Sequence, residues 1–472
     1  MDRKRILIGG DWVEAVETVE VRSPFTGESV AAVCSAAENE VEAALASAVG
    51  AAKKMREKPR FEVAVGLRMV AEKIRARRDE FSRTITLESA KPLIYSRGEV
   101  DRAVATFSWA AGEAERFVGE MVPVDTQPAG RGKTAWTTRV PRGVIFGITP
   151  FNFPLNLVAH KVAPALASGN AIIIKPSPRT PLTALLLGEV FLESGLPRDA
   201  LQVVPMDVRH IDTILADDRV AMVSFTGSAD VGWKMKAKAA KKGVGLELGG
   251  NAPVIVDESA DVDRSLSRTV TAAFAFSGQV CISAQRVFVH ERLFDSWSSE
   301  FVKSAKALTK GDPLDEKTQI SVLTDEAAAK RVESWVSDAV GAGAKLLCGG
   351  GRDGSYYEPT VLTNTDDEMR IVSEEVFGPV AVVEPFESFA QAVEMANRGK
   401  YGLQAGVFTN DLGNAGIAAR ELNYGSVIIN DSPAFRVDNM PYGGVRDSGF
   451  GREGVRFAME EMTEPRLVVS EF

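Results

Sequence analysis

From about residue 40 to 117, apolar Ala, Leu and Val recur at helical spacing, with Lys, Arg and Glu between them. This predicts a series of amphipathic helices. Between about 119 and 140 the pattern changes. Pro123-Val124-Asp125 leads into a Gly/Pro turn from Pro128 to Gly132, and Thr134 to Val140 follows, which together predict a β-hairpin. Beyond it come short, unbroken apolar runs: Val144 to Ile148, Ala171 to Ile174 and Val220 to Phe225. Runs of this kind suit strands buried on both faces of a parallel sheet, and helical stretches such as Thr183 to Phe191 separate them. The alternation predicts a doubly wound α/β unit. A second α/β series follows at Pro253–Val256, Val287–Val289, Val380–Val383, Gly406–Phe408 and Val427–Ile429. No internal repeat or low-complexity linker interrupts the chain.

Composition narrows the class. A chain of 472 residues exceeds one compact core, so two or three domains are expected. Its 45% hydrophobic and 25% charged residues are those of a globular protein in water. A net charge of −9 argues against a nucleic-acid or membrane-surface partner. Cys34, Cys281 and Cys348 form no CxxC pair, which favours a reducing compartment. Near the N-terminus only Ile6-Leu7-Ile8 are consecutively apolar, too few for a signal-peptide core, and no run approaches the roughly 18 residues that cross a bilayer. A cytoplasmic location is expected. Three histidines, His160, His210 and His290, make no metal-binding motif, so no metal is expected and a catalytic base should be a carboxylate.

The chemistry is concentrated in a few separated segments. Thr149-Pro150-Phe151-Asn152-Phe153-Pro154 follows one predicted strand and Lys175-Pro176-Ser177 ends the next. After them come Phe225-Thr226-Gly227-Ser228, Leu246-Glu247-Leu248-Gly249-Gly250, Gly278-Gln279-Val280-Cys281, Glu375-Val376-Phe377-Gly378-Pro379 and Pro441-Tyr442-Gly443-Gly444-Val445. In this order, from Trp12 to the C-terminus, the sequence resembles the aldehyde dehydrogenase superfamily. The resemblance implies an aldehyde dehydrogenase-like α/β fold. A Rossmann-type cofactor domain would take residues 1–118 and 141–246 and a catalytic domain residues 247–442. A β-hairpin oligomerisation element would take 119–140 and 460–472, giving a homodimer or homotetramer. It also implies oxidation of an aldehyde to its carboxylate. A neutral carbonyl does not release hydride readily, so a thiolate adds first, hydride departs to a nicotinamide, and water hydrolyses the remaining thioester with the help of a base. Cys281, 34 residues after Glu247, is the expected nucleophile and Glu247 the base. Asn152 and the backbone N–H of Cys281 would stabilise the oxyanion. A CoA-acylating semialdehyde dehydrogenase is a rival that typically lacks the carboxylate at the position of Glu247. A silent binding protein would require loss of Cys281, Asn152 or Glu247.

No GxGxxG occurs, and the family binds its dinucleotide differently. The resemblance assigns cofactor contacts to Thr149, Pro150, Phe151, Lys175, Ser177, Arg179, Gly227, Ser228, Leu248, Glu375 and Phe377. Gly227-Ser228 opens a predicted helix whose N-terminus suits pyrophosphate, or else Ser228 is a plain helix cap. Relatives confined to NAD usually carry Glu three residues after the Lys; here Pro178 and Arg179 follow. Loss of that carboxylate with an Arg beside it suits a 2′-phosphate, so NADP is expected to be accepted besides NAD, unless Arg179 is only a solvated surface charge.

Arg102, in Gly98-Glu99-Val100-Asp101-Arg102, and Arg436, in Phe435-Arg436-Val437-Asp438, occupy regions where relatives bind acidic aldehydes. The alternative for Arg436 is a structural salt bridge with Asp438. Asn430-Asp431-Ser432-Pro433 and the Met440-Pro441-Tyr442 segment are most similar to a branch containing lactaldehyde, non-phosphorylating glyceraldehyde-3-phosphate and phosphonoacetaldehyde dehydrogenases. Val280 precedes the nucleophile where some members have Arg, and Phe153 lines the substrate side without charge. A small hydroxy- or anion-bearing aldehyde is expected, of lactaldehyde or glyceraldehyde-3-phosphate type. Succinate semialdehyde, phosphonoacetaldehyde and sulfonated aldehydes are the alternatives.

Overall fold

The computed structural model describes residues 3–471; Met1, Asp2 and Phe472, at the ends of the ranges 1–118 and 460–472, lie outside the described residues. The unbroken apolar runs form the middle of an eight-stranded sheet, counted among the described residues. Its parallel part runs Gly243–Glu247, Val220–Thr226, Val144–Ile148, Ala171–Lys175, Leu201–Val203. Ile6–Ile8 and Asp11–Val13 add antiparallel at one edge, and Gly449–Phe450 at the other.

Successive side chains on a strand point to opposite faces. Ile145, Ile172 and Ile174 therefore enter one apolar core with the helices Arg60–Ala76, Leu93–Arg116, Asn156–Ala167 and Leu182–Leu192. Val144, Phe146, Ile148 and Ile173 enter another, against Glu38–Glu57 and Ala229–Lys238. Two covered faces explain why these strands read as continuous rather than alternating.

The second series makes a seven-stranded sheet in the order Lys345–Cys348, Thr360–Thr363, Val380–Phe386, Ala284–His290, Ala252–Val256, Gln404–Phe408, Ser426–Ile429. It is parallel except for its first strand. Here too Val287 and Val289 pack on one face and Phe288 on the other. The hairpin expected between 119 and 140 is present as Met121–Val122 against Lys133–Pro141, and the C-terminal strand Thr463–Glu471 pairs with the latter along its whole length.

Two consequences position the site. In the first sheet the chain moves outward from Val144–Ile148 through Ala171–Lys175 and then returns to Val220–Thr226 on its other side. Such a reversal opens a crevice beyond the strands' carboxyl ends. Glu247 ends one strand of that sheet, whereas Cys281 lies just before the strand Ala284–His290 of the second. The exit edge of one sheet thus meets the entrance edge of the other.

Candidate active site

Cys281 is presented by a tight turn. The helix Val262–Phe274 ends and Phe276, Ser277 and Gly278 follow at φ 51°, 54° and 70°. Left-handed backbone costs a residue with a side chain roughly 1–2 kcal/mol, so neighbours must hold it there. Ser277 Oγ donates to the Ser321 carbonyl at 2.7 Å, and Thr324 N–H donates to Gln279 Oε1 at 2.9 Å. At Gly278 a Cβ would lie 2.1 Å from the Gly378 carbonyl oxygen, so only glycine fits.

Asn152 lies on the loop after the strand Val144–Ile148. It is 4% exposed, and its Nδ2 donates to the Gln279 carbonyl at 2.9 Å, next to the nucleophile's turn. The loop is anchored from below by Glu99, whose Oε1 accepts from Leu155 N–H at 2.8 Å and Asn156 N–H at 3.1 Å. Glu99 is paired with Lys91, both fully buried. The Lys91 ammonium also sits 3.7 Å from the ring centroid of Phe153 and 4.8 Å from that of Phe276. One buried cation therefore touches both the Asn152 loop and the Cys281 turn.

The Cys281 Sγ is half-buried and lies 3.1 Å from the Tyr442 hydroxyl. Burial pushes the thiol up to about 11, while the Tyr442 hydrogen bond and the Arg436 charge oppose that rise. Glu247 is 6% exposed, and its Oε2 has no hydrogen-bond partner among the described residues. Burial, then the nearby Glu453 charge, holds its carboxyl well above the usual carboxylate range. A carboxyl raised in this way holds a proton more readily than a solvated one, which suits a general base.

Arg102 and Arg436 are both tied into a polar network. Arg102 Nη2 donates to Asp438 Oδ1 at 2.7 Å. The Arg436 side chain is 6% exposed and pairs with Glu453 at 3.2 Å; the pair with Asp438 raised as the alternative is not formed, and Asp438 serves Arg102, but Arg436 is in a salt bridge all the same. Arg436 also stacks on Tyr442, its guanidinium carbon 3.6 Å from the ring centroid. Nε of Arg436 is buried without a partner, and Nη1 makes no hydrogen bond among the described residues.

Three strand ends carry polar groups without partners. Thr149 Oγ1 and Thr226 Oγ1 are buried and unbonded, and Lys175 is 4% exposed with its ammonium in no hydrogen bond among the described residues. Burial lowers the Lys175 pKa. Ser177 Oγ accepts the Arg179 N–H at 3.2 Å. Gly227 and Ser228 precede the helix Ala229–Lys238; Ser228 is exposed and its hydroxyl makes no capping bond, contrary to the plain-cap alternative. Leu248 is buried one residue past Glu247. Glu375 accepts the Gly250 N–H at 2.9 Å, and burial pushes its carboxyl to about 7. Phe377, at φ 48°, meets Phe151 edge-on at 5.9 Å. Arg179 is exposed at the surface, where it pairs with Asp325 and lies 3.3 Å from Thr324 Oγ1. Unsatisfied hydroxyls and a buried ammonium at a sheet's switch point fit a ligand with ribose hydroxyls and phosphates.

Sequence reasoning missed several groups: Tyr442 as the thiol's partner, His160 and Asp438 behind the arginines, and the pair of Lys161 with Glu453 at 3.1 Å. Tyr442 stood in a recognised motif, where the hydroxyl was the available signal. The other groups are scattered along the chain and carry no local pattern.

The family model for the aldehyde dehydrogenase family matches residues 12–468. A 3-sulfolactaldehyde dehydrogenase of Priestia aryabhattai is 42% identical over 466 residues, covering 98% of this chain and 97% of that protein. The crystal structure of aldehyde dehydrogenase 21 from Physcomitrella patens, in complex with the reaction product succinate, superimposes with a TM-score of 0.98 at 41% identity, covering 100% of this chain and 98% of that one. The glyceraldehyde-3-phosphate dehydrogenase GapN from Methanocaldococcus jannaschii, complexed with NADP, gives a TM-score of 0.92 at 35% identity, covering 96% and 99%. Motif order, two α/β sheets meeting at Cys281 and these likenesses agree: the chain is an enzyme of the aldehyde dehydrogenase family.

Proposed function

We propose that this enzyme oxidises a small aldehyde carrying a carboxylate or sulfonate tail to the corresponding acid, with NADP or NAD as oxidant. The observation that carries this reading is Arg436. Its guanidinium is buried, has Nε and Nη1 without partners among the described residues, and lies on the face of the Tyr442 ring whose hydroxyl meets the Cys281 thiol. A buried guanidinium with free donors suits an anion that binds with it. Arg102, with Nη1 likewise unbonded among the described residues, stands behind Asp438 as a second positive group. The sulfonated and succinate ligands named for the relatives support the same class.

Cys281 Sγ adds to the aldehyde carbon. The Asn152 amide and the Cys281 N–H receive the oxyanion, and a donor of this kind is worth about 3 kcal/mol in other enzymes. A nicotinamide dinucleotide, when bound, supplies the hydride acceptor. Lys175, Ser177 and Arg179 would hold its adenosine half, Thr149, Pro150, Phe151, Gly227, Ser228 and Leu248 its middle, and Glu375 and Phe377 its nicotinamide end. Cys281 then carries the acyl group as a thioester. Glu247 takes the proton of the water that attacks it, and Cys281 leaves as the thiolate.

The boundaries near 119–140, 247 and 460 remain our division of the chain into cofactor, catalytic and oligomerisation units. The strand Thr463–Glu471 is paired on one side only and exposes Leu467 and Val469, which supports a homodimer or homotetramer. A cytoplasmic location accords with the acidic charge and the three cysteines without a disulfide. Formation of reduced cofactor with succinate semialdehyde, sulfolactaldehyde and acetaldehyde tests the reading. The acidic aldehydes should have the higher kcat/KM and Cys281→Ser should be inactive. Equal use of acetaldehyde, or an active serine variant, refutes it.

A further inference from the structure

We propose that Tyr442 is a catalytic residue whose hydroxyl donates a hydrogen bond to the Cys281 thiolate. This rests on Cys281 being the nucleophile. The Tyr442 ring is 2% exposed and packs with Ile282 and Leu403, a role that phenylalanine would fill equally well. The hydroxyl is what phenylalanine lacks. It lies 3.1 Å from Cys281 Sγ and makes no other hydrogen bond among the described residues.

In the neutral pair either group can donate. Ionisation settles the direction. Burial holds the Tyr442 proton on well above the usual phenol range, the neighbouring Cys281 and Glu247 charges push the same way, and the Arg436 charge opposes them without reversing the shift. The thiol therefore loses its proton first, and the only hydrogen left between the two atoms belongs to Tyr442. The contact becomes O–H···S⁻, and a charged acceptor makes such a bond stronger.

Two features fix the phenol in place. Tyr442 and Glu453 exchange backbone hydrogen bonds, N–H to carbonyl, at 3.0 and 2.6 Å. The guanidinium of Arg436 lies over the ring face at 3.6 Å and is itself held by Glu453 at 3.2 Å. A cation over the ring draws electron density from it, which makes the O–H a better donor. Arg436 thus serves as the positioning residue for the group that touches the nucleophile.

Alkylation of Cys281 by iodoacetamide tests this on the whole enzyme without turnover. The thiolate forms an S–C bond as iodide leaves, and peptide mass spectrometry follows Cys281 alone. Removing a donor to the thiolate raises the thiol pKa. Tyr442→Phe should raise the apparent alkylation pKa by about one pH unit. The more basic thiolate is intrinsically more nucleophilic, so alkylation below the pKa slows by roughly threefold. Replacing Tyr442 with 3-fluorotyrosine, nearly the same shape with a more acidic hydroxyl, should move the pKa downward. Opposite shifts from two conservative changes are not expected of a packing role. An unmoved pKa in both variants, or a shift in the same direction in both, overturns the proposal. Activity retained by Cys281→Ser would instead overturn the nucleophile assignment, so the two failures are distinct.

Discussion

One oxygen of Asp438 holds three groups at once: Oδ1 accepts from Arg102 Nη2 at 2.7 Å and from Asn156 Nδ2 at 3.2 Å, and meets His160 Nε2 at 2.7 Å. The neighbouring positive charges and the His160 hydrogen bond keep the Asp438 carboxyl well below its usual range despite burial. This carboxylate stays ionised and offsets part of the positive charge of the two arginines, leaving their unbonded nitrogens to a substrate tail.

The arginines should therefore separate in their effects. Charge-assisted hydrogen bonds are worth about 1.5–3 kcal/mol, or roughly 10–100-fold in KM. Arg436→Ala should raise KM for acidic aldehydes by that factor, over and above a fall in kcat shared with acetaldehyde, because Arg436 also positions Tyr442. Arg102→Ala should act in the same direction but less, because Arg102 is more exposed and Asp438 already engages it. Parallel rises in KM for acidic and neutral aldehydes would contradict the assignment.

Cofactor choice gives a second test. The Arg179–Asp325 pair is exposed, 49% and 32%, and such pairs contribute less than about 1 kcal/mol. A 2′-phosphate can then take Arg179 from Asp325 at little cost. Arg179→Ala should raise the Kd for NADP about tenfold and barely change that for NAD, by titration of intrinsic fluorescence. Equal weakening of both cofactors would assign Arg179 a general structural role.

Much of this was legible in sequence for a physical reason. Parallel strands buried on both faces read as unbroken apolar runs, so Val144–Ile148 and Ala171–Lys175 announced themselves. Short edge strands such as Arg3–Lys4, Tyr356–Tyr357 and Gly449–Phe450 did not, because two or three residues give no period to read. Cys281, Glu247 and Asn152 stood out through the ordered motifs around them. The His160–Asp438–Arg102 network did not, since its members lie far apart in sequence and only folding joins them. Asp438 next to Arg436 suggested a local pair, yet the geometry gives Asp438 to Arg102, 336 positions away.

Glu88 provides a pH test away from the active site. It is fully buried, accepts from Leu182 N–H at 2.8 Å and Thr183 N–H at 3.1 Å, and burial pushes its carboxyl to about 8. A carboxyl raised on folding binds a proton more tightly in the folded state. Its contribution is fully present below the unfolded value near 4.5 and is lost as pH rises through about 8. This site alone gives a slope of about 1.4 kcal/mol per pH unit within that window. Glu88→Gln should flatten the fall in Tm between pH 5 and pH 8, in roughly that proportion. An unchanged Tm profile would contradict the raised value.

The central chemistry is most directly tested by trapping the acyl-enzyme. Without the Glu247 carboxylate, the thioester on Cys281 should form but hydrolyse slowly. Glu247→Gln, mixed with cofactor and a semialdehyde, should release one burst of reduced cofactor per active site, then little turnover. Intact-protein and peptide mass spectrometry should place the mass of the acyl group on Cys281. A variant that turns over without a burst, or a burst with no adduct on Cys281, would contradict the roles of both residues.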